Sequence, residues 1–183
     1  MGASVMPIFA GLDTETTGLT WGDHRFVEVY VGLWNDAGVQ KFAYETRIDP
    51  QRQIAADAQR VHGISIQDLV GKPTFETVAP VLAKVLGKAD YYVAHNGVGF
   101  DIPFLQYEFK RVGVEMPVRP VIDTMLEGIW STPNGKKPNL GELCFACDEN
   151  YETALAHAAA YDVGMMMGCF FKAKTWGFIK LPE

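Results

Sequence analysis

Asp13-Thr14-Glu15-Thr16-Thr17-Gly18 closes an apolar run, Val5 to Leu12, whose composition and length suit a central β-strand. Two carboxylates stand two positions apart there, and in an extended segment positions i and i+2 point to the same side. Two like charges aimed at one spot off the end of a buried strand repel each other, a cost tolerated when a cation lies between them. The plainer alternative is a strand that runs into a polar turn, Thr16-Thr17-Gly18.

Downstream, Phe26 to Trp34 is rich in β-branched and aromatic residues and reads as a second strand. Asn35-Asp36-Ala37-Gly38 is a hairpin turn, and Val39 to Ile48 a third strand ended by Asp49-Pro50. Three strands with short connections make an antiparallel meander. Then the pattern changes: Ala55 to Val61 reads as a short helix stopped by His62-Gly63, Ser65 caps a turn over Ile66 to Val70, and Thr74 precedes a helix over Phe75 to Leu86. Tyr91 to Ala94 is a fourth strand, which follows a helix and is therefore expected parallel to a neighbour. A helix from Asp101 to about Val112, a short strand Arg119 to Ile122 and a helix Thr124 to Trp130 come next. After the loop-like Ser131 to Asn139, helices are expected over Leu140 to Ala146 and over about Ala154 to Thr175.

At 183 residues and 48% hydrophobic, the chain has the material for a full core and is read as one domain, 1–183. The apolar stretches are broken well before membrane-spanning length and the N-terminus lacks a basic region followed by an apolar one, so a soluble cytoplasmic protein with no membrane contact is expected. Three cysteines without a framework pattern suit a reducing compartment. Cys144 and Cys147 form a C-x-x-C with no second ligand pair, and core packing is the expected use. Met165 to Met167 with Cys169, Phe170 and Phe171 reads as core filler in the same way. A net charge of −6 argues at first against nucleic acid, whose phosphates favour a basic footprint. Acids that hold divalent metals reverse that sign locally, so charge alone excludes nothing. Lys136 and Lys137, in the most basic loop, are either solvated or phosphate contacts.

Further acids follow at positions that matter. Asp101 comes after a strand, as does the Asp13/Glu15 pair, and the ends of adjacent central strands lie side by side in α/β sheets. Asp162 is a lone acid in a small, apolar setting on the last helix, with His157 five positions earlier. Five positions of continuous helix turn through about 500°, leaving the two side chains about 140° apart. For both to serve one site, His157 must lie in a turn before the helix or at its very start.

D-x-E-T-T-G after the first strand, N-x-x-x-F-D after the fourth and H-x-x-x-x-D on the last helix, in this order, resemble the three motifs of the DnaQ-like (DEDD) 3'-5' exonucleases, the family of the proofreading epsilon subunit of bacterial DNA polymerase III. His157 places the resemblance in the His-type subgroup, because the Tyr-type needs a tyrosine where Ala158 stands; Tyr161 does not fill that role. One departure is that three residues, Gly97-Val98-Gly99, separate Asn96 from Phe100 where epsilon relatives carry two; the longer form resembles the proofreading domains of family B polymerases. The added glycines suggest a pliable loop.

The resemblance implies an α/β fold of ribonuclease-H-like type, a mixed five-stranded sheet in the order 3-2-1-4-5 with helices on both faces. It implies a 3'-5' exonuclease dependent on two Mg²⁺, with Mn²⁺ as a substitute, that releases nucleoside 5'-monophosphates from single-stranded or frayed DNA. Asp13 would bridge both metals, Glu15 and Asp162 would hold the nucleophile-side metal and Asp101 the other, while His157 takes the proton of the attacking water. The backbone at Thr16 and the side chain of Leu19 would seat the 3' end, framed by His62, with Asn96 and Phe100 as further substrate contacts; Phe100 also reads as the seat of the helix that follows it. Thr14 has no role in this reading beyond spacing the acids. RNA trimming of the RNase T or oligoribonuclease type is the alternative enzyme, and a non-cutting nucleic-acid adaptor the alternative class. The sequence identifies no polymerase partner: a stand-alone or loosely associated enzyme, in a bacterium or for a phage in its host's cytoplasm, is the expectation, with association with a DNA polymerase as the alternative.

Overall fold

The computed structural model describes residues 6–182. Five strands form one sheet: β1 (Phe9–Thr16), β2 (Phe26–Trp34), β3 (Gln40–Arg47), β4 (Tyr91–Ala94) and β5 (Val121–Asp123), in the order β3-β2-β1-β4-β5. The first three pair antiparallel, while β4 runs parallel to both β1 and β5. The meander, the parallel crossover and the order agree with the expectation. Among the described residues five α-helices accompany them: α1 (Ala56–His62), α2 (Phe75–Leu86), α3 (Asp101–Arg111), α4 (Leu140–Ala146) and α5 (Ala159–Trp176).

Strand alternation decides what each face of β1 meets. Ala10 and Leu12 pack with Leu82 and Leu86 of α2 and with Phe104, Leu105 and Phe109 of α3. Phe9 faces the other way, onto Val163, Met167 and Phe170 of α5. Gly11 also lies on that side, where an added Cβ would stand 2.7 Å from Met167 Sδ and 2.9 Å from Val163 Cγ1. Glycine therefore lets α5 lie directly on the central strand, which brings the N-terminus of α5 to the C-terminal end of β1.

Several element ends differ from the sequence expectation by a residue, as in the third strand and the first helix, and four stretches differ with a consequence or a cause that can be named. The first strand runs to Thr16, so both acids lie inside it; Val5 falls outside the described residues. The fifth strand starts at Val121 because Pro120 donates no backbone hydrogen bond and the Arg119 side chain is turned to the carbonyls of Ala89 and Gly87. Thr124 to Trp130 is not an α-helix: the carboxylate of Asp123 accepts the N–H groups of Met125 and Leu126, holding a turn that leads into a 3₁₀ segment, Glu127–Ser131. The last helix starts at Ala159, after a 3₁₀ turn at Thr153–Leu155 and a left-handed His157 at φ 64°, which no helix continues through.

Cys144, Cys147 and Cys169 are free and buried where α4 meets α5, as core packing requires. Met166, Met167 and Phe170 are likewise core. Among the described residues, no helix is long and apolar enough to cross a membrane.

Candidate active site

Three elements end at one place. Asp13 and Glu15 project from the α5 side of β1, Asp162 comes from the first turn of α5, and Asp101 opens α3 on the opposite face of the sheet. Their charges act on one another. Burial first, then repulsion from Asp101, Glu15, Asp162 and Glu28, pushes the Asp13 carboxyl well above the usual carboxylate range. Burial first, then Glu28, Asp101 and Asp162, pushes Glu15 up to about 8. Asp101 is pushed to about 7 by burial, against the lowering effect of a hydrogen bond from Thr14. Acids in this state are short of positive charge.

The donor chemistry fits a hard divalent cation that keeps several of its waters. Among the described residues no three His, Cys, Asp or Glu side chains are gathered tightly enough to cage a metal unaided. The acids instead form an open cluster, partly turned to protein donors. Asp101 Oδ1 accepts the Thr14 hydroxyl at 2.6 Å, and Asp162 accepts the Tyr151 hydroxyl at 2.9 Å and the His157 backbone N–H at 2.9 Å.

Two cavities flank the cluster. The larger, about 670 Å³, is lined by Asp13, Asp162, His157, Asn96, His95 and Tyr151. His157 precedes α5 and is exposed, the placement the helical geometry demanded if it is to share a site with Asp162. The second cavity, about 510 Å³, is lined by Glu15, Thr16, Leu19, Val61, His62 and Phe100. It gathers the residues expected at the substrate's 3' end, with Leu19 82% exposed at its rim. Asn96 lies in the first cavity and Phe100 in the second, so the two substrate expectations divide between them. Phe100 also packs on Phe104 in a tilted arrangement, ring centroids 5.4 Å apart at 52°, seating α3 as expected.

The loop behind Thr16 is built rigidly. Ile64 N–H donates to His62 Nδ1 at 3.0 Å, which leaves the proton on Nε2, and Nε2 donates to the Thr16 carbonyl at 3.2 Å. His62 thus spends both ring nitrogens on backbone and holds Thr16 in place. Thr17 Oγ1 accepts the Arg25 N–H and bonds His24 Nδ1 at 3.0 Å. A Cβ on Gly18 would run into that His24 ring.

The glycine-bearing loop before Asp101 is pinned where pliability was expected. Asp123 Oδ1 accepts the Asn96 N–H and Oδ2 the Val98 N–H, both at 3.0 Å. Gly97 has no room for a Cβ, which would stand 2.4 Å from that of Ala94, so close packing explains this glycine. Of the two loop lysines, Lys136 pairs with Glu142 at 2.6 Å, while Lys137 is exposed.

Four residues at the site escaped the sequence reading. Thr14 binds Asp101, correcting the view that it only spaces the acids. Glu28 stands opposite Glu15 across the β1/β2 ladder and pairs with Arg47 at 3.2 Å. Its signal was present, a lone acid within a strand that is buried at every position. Asp123 and Tyr151 carried no local signal, since each acts through a contact between distant segments.

Known proteins resemble this chain over most of its length. The family model for exonucleases of the RNase T type matches residues 10–170. The DNA polymerase III subunit epsilon of Rickettsia felis is 32% identical over 160 residues, covering 85% of this chain and 69% of that one. The 3'-5' exonuclease DinG of Bacillus subtilis is 34% identical over 119 residues, covering 64% of this chain and 12% of its own. Among solved structures, exonuclease X in complex with 5' overhanging duplex DNA superposes with a TM-score of 0.68 at 25% identity, covering 92% of this chain and 93% of that one. Exonuclease I superposes with a TM-score of 0.79 at 18% identity; this chain spans 41% of its length, and the likeness is one of fold.

Proposed function

The chain belongs to the exonuclease family that it matches over residues 10–170 and is a 3'-5' exonuclease, and from that premise we propose that it removes nucleoside 5'-monophosphates from single-stranded or frayed DNA 3' ends. Members of this family use divalent metals; the ions proposed for this chain are two Mg²⁺, with Mn²⁺ able to substitute. The observation that carries the reading is the convergence of Asp13, Glu15 and Asp101, whose raised carboxyls lack a counter-charge, with Asp162 beside a cavity that His157 shares.

Asp13, Glu15 and Asp162 would hold the ion on the nucleophile side, and Asp101 the other. Ions held there would supply charge neutralisation on the phosphate and a more acidic attacking water. His157 takes that water's proton; its exposed place on the loop before α5 gives it access from the cavity. Thr16 and Leu19 receive the terminal nucleotide in the second cavity, His62 keeps the Thr16 backbone still, and Phe100 forms the far wall. Asn96 meets the strand on the side of the scissile phosphate. The epsilon relatives support association with a DNA polymerase in a bacterial cytoplasm as the setting.

The test is hydrolysis by the purified protein with Mg²⁺ on 5'-labelled single-stranded DNA, mismatched duplex, RNA and a dinucleotide. A ladder shortening from the 3' end of DNA is expected. No cleavage of any substrate overturns the reading, and cleavage confined to RNA or to the dinucleotide moves the substrate to short RNA. His157→Ala should lose about 10²- to 10⁴-fold in kcat while keeping Mn²⁺ affinity; an unchanged rate removes it as the base.

A further inference from the structure

Tyr151 lies on the connection between α4 and α5 and lines both the acid-bearing cavity and the groove beside it. Its hydroxyl donates to Asp162 Oδ1 at 2.9 Å. The other oxygen of the same carboxylate, Oδ2, accepts the backbone N–H of His157 at 2.9 Å. One carboxylate therefore joins the loop tyrosine to the residue proposed as the base.

The connection is clasped from the helix side as well. Tyr161, the residue before Asp162, accepts the Glu152 N–H on its hydroxyl at 2.6 Å and donates to the Asn150 carbonyl at 3.5 Å. It thus grips the backbone on both sides of Tyr151, and the two rings lie 5.6 Å apart at 32°. His157 holds a left-handed backbone at φ 64°, which a residue with a Cβ adopts only where its surroundings impose it. Here the imposing contact is the bond from its own N–H to Asp162.

We infer that Tyr151 is a positioning residue: through Asp162, its hydroxyl sets the orientation of a metal-binding carboxylate and the seat of His157 together, with Tyr161 holding the clasp closed. Neither tyrosine touches the reacting atoms. A donor behind a metal-binding carboxylate fixes which lone pairs face the ion, and removing such a partner costs about 10- to 100-fold in affinity or activity.

This rests on the reading of Asp162 and His157 given above, and the experiment separates the two. Mn²⁺ affinity is measured by titration calorimetry on substrate-free protein, alongside kcat and KM on single-stranded DNA, for the wild type, Tyr151→Phe and Tyr161→Phe. Tyr151→Phe is expected to weaken Mn²⁺ binding and lower kcat, each about tenfold, with KM within about twofold; Tyr161→Phe follows in the same direction with a smaller effect. Wild-type Mn²⁺ affinity and kcat in Tyr151→Phe overturn the inference while leaving the exonuclease reading intact. A change confined to KM also overturns it, because Tyr151 would then be a substrate contact. If Tyr151→Phe does not fold, Tyr161→Phe decides by the same readouts. A wild type that neither binds Mn²⁺ nor cuts overturns the exonuclease reading instead.

Discussion

The Thr14 hydroxyl donates to Asp101 Oδ1 at 2.6 Å, with Thr14 4% and Asp101 3% exposed, and this bond crosses from the central strand to the first residue of α3. Thr14 points away from Asp13 and Glu15, onto the face where α3 packs. An acid from the far face is thereby drawn to the end of the strand that carries the other two.

Replacing Thr14 by valine keeps the shape and removes the donor, leaving a buried carboxylate oxygen unsatisfied. The expected cost is about 1–3 kcal/mol of stability, seen as a drop in Tm of roughly 2–4 °C per kcal/mol. Because Asp101 loses its anchor, kcat at saturating Mg²⁺ should fall by about tenfold. Thr14→Ser should restore both quantities, and a valine variant with wild-type kcat would show that Asp101 needs no such support.

The acid cluster makes metal-free stability depend on pH in an unusual direction. A carboxyl whose pKa is higher folded than unfolded binds more protons in the folded state, so stability is lost as pH rises between the two values. For Glu15 that interval runs from 4.5 to about 8, and for Asp101 from 3.8 to about 7. With metal chelated, Glu15→Gln should melt above the wild type at pH 8, by a few degrees, and the advantage should shrink towards pH 5. Saturating Mg²⁺ should reverse it, because the variant then loses a ligand. An advantage that stays constant with pH contradicts the assigned repulsion.

His62 behaves in the opposite sense. Burial, and to a lesser extent His157, lowers its pKa below 6.5 against the raising effect of its bond to the Thr16 carbonyl, and protonating Nδ1 would also break the bond from Ile64 N–H. A histidine with a lowered folded pKa loses its stabilising contribution as pH falls through the interval below 6.5. The ring should titrate below 6.5 by NMR, and His62→Ala should raise KM for single-stranded DNA by about tenfold by freeing the Thr16 carbonyl. A normal titration midpoint would mean that the ring is not held by those two backbone groups.

Most of the strands and helices were legible because their signals are local. Phe26–Trp34, Phe75–Leu86, Tyr91–Ala94 and Leu140–Ala146 carry their periodicity and their stops within themselves, and their bounds match the expectation. The misjudged stretches are those where a distant side chain competes with local propensity. Asp123 turns Thr124 to Leu126 away from a helix, and Asp162 holds His157 outside one.

The acid spacing, the alternation of β1 and the order of the motifs are properties of the chain itself, so the sequence named Asp13, Glu15, Asp101, His157 and Asp162 as one group, and the family resemblance those motifs carry implied the strand order that the structure has. Tertiary structure alone decided how that group is held: Thr14 under Asp101, Glu28 opposite Glu15, Asp123 behind the Asn96 loop, and Tyr151 on Asp162. The reason is physical. A hydrogen bond between residues 87 positions apart, as Thr14 and Asp101 are, exists only once packing has brought both groups into one dry place, and no spacing along the chain announces it.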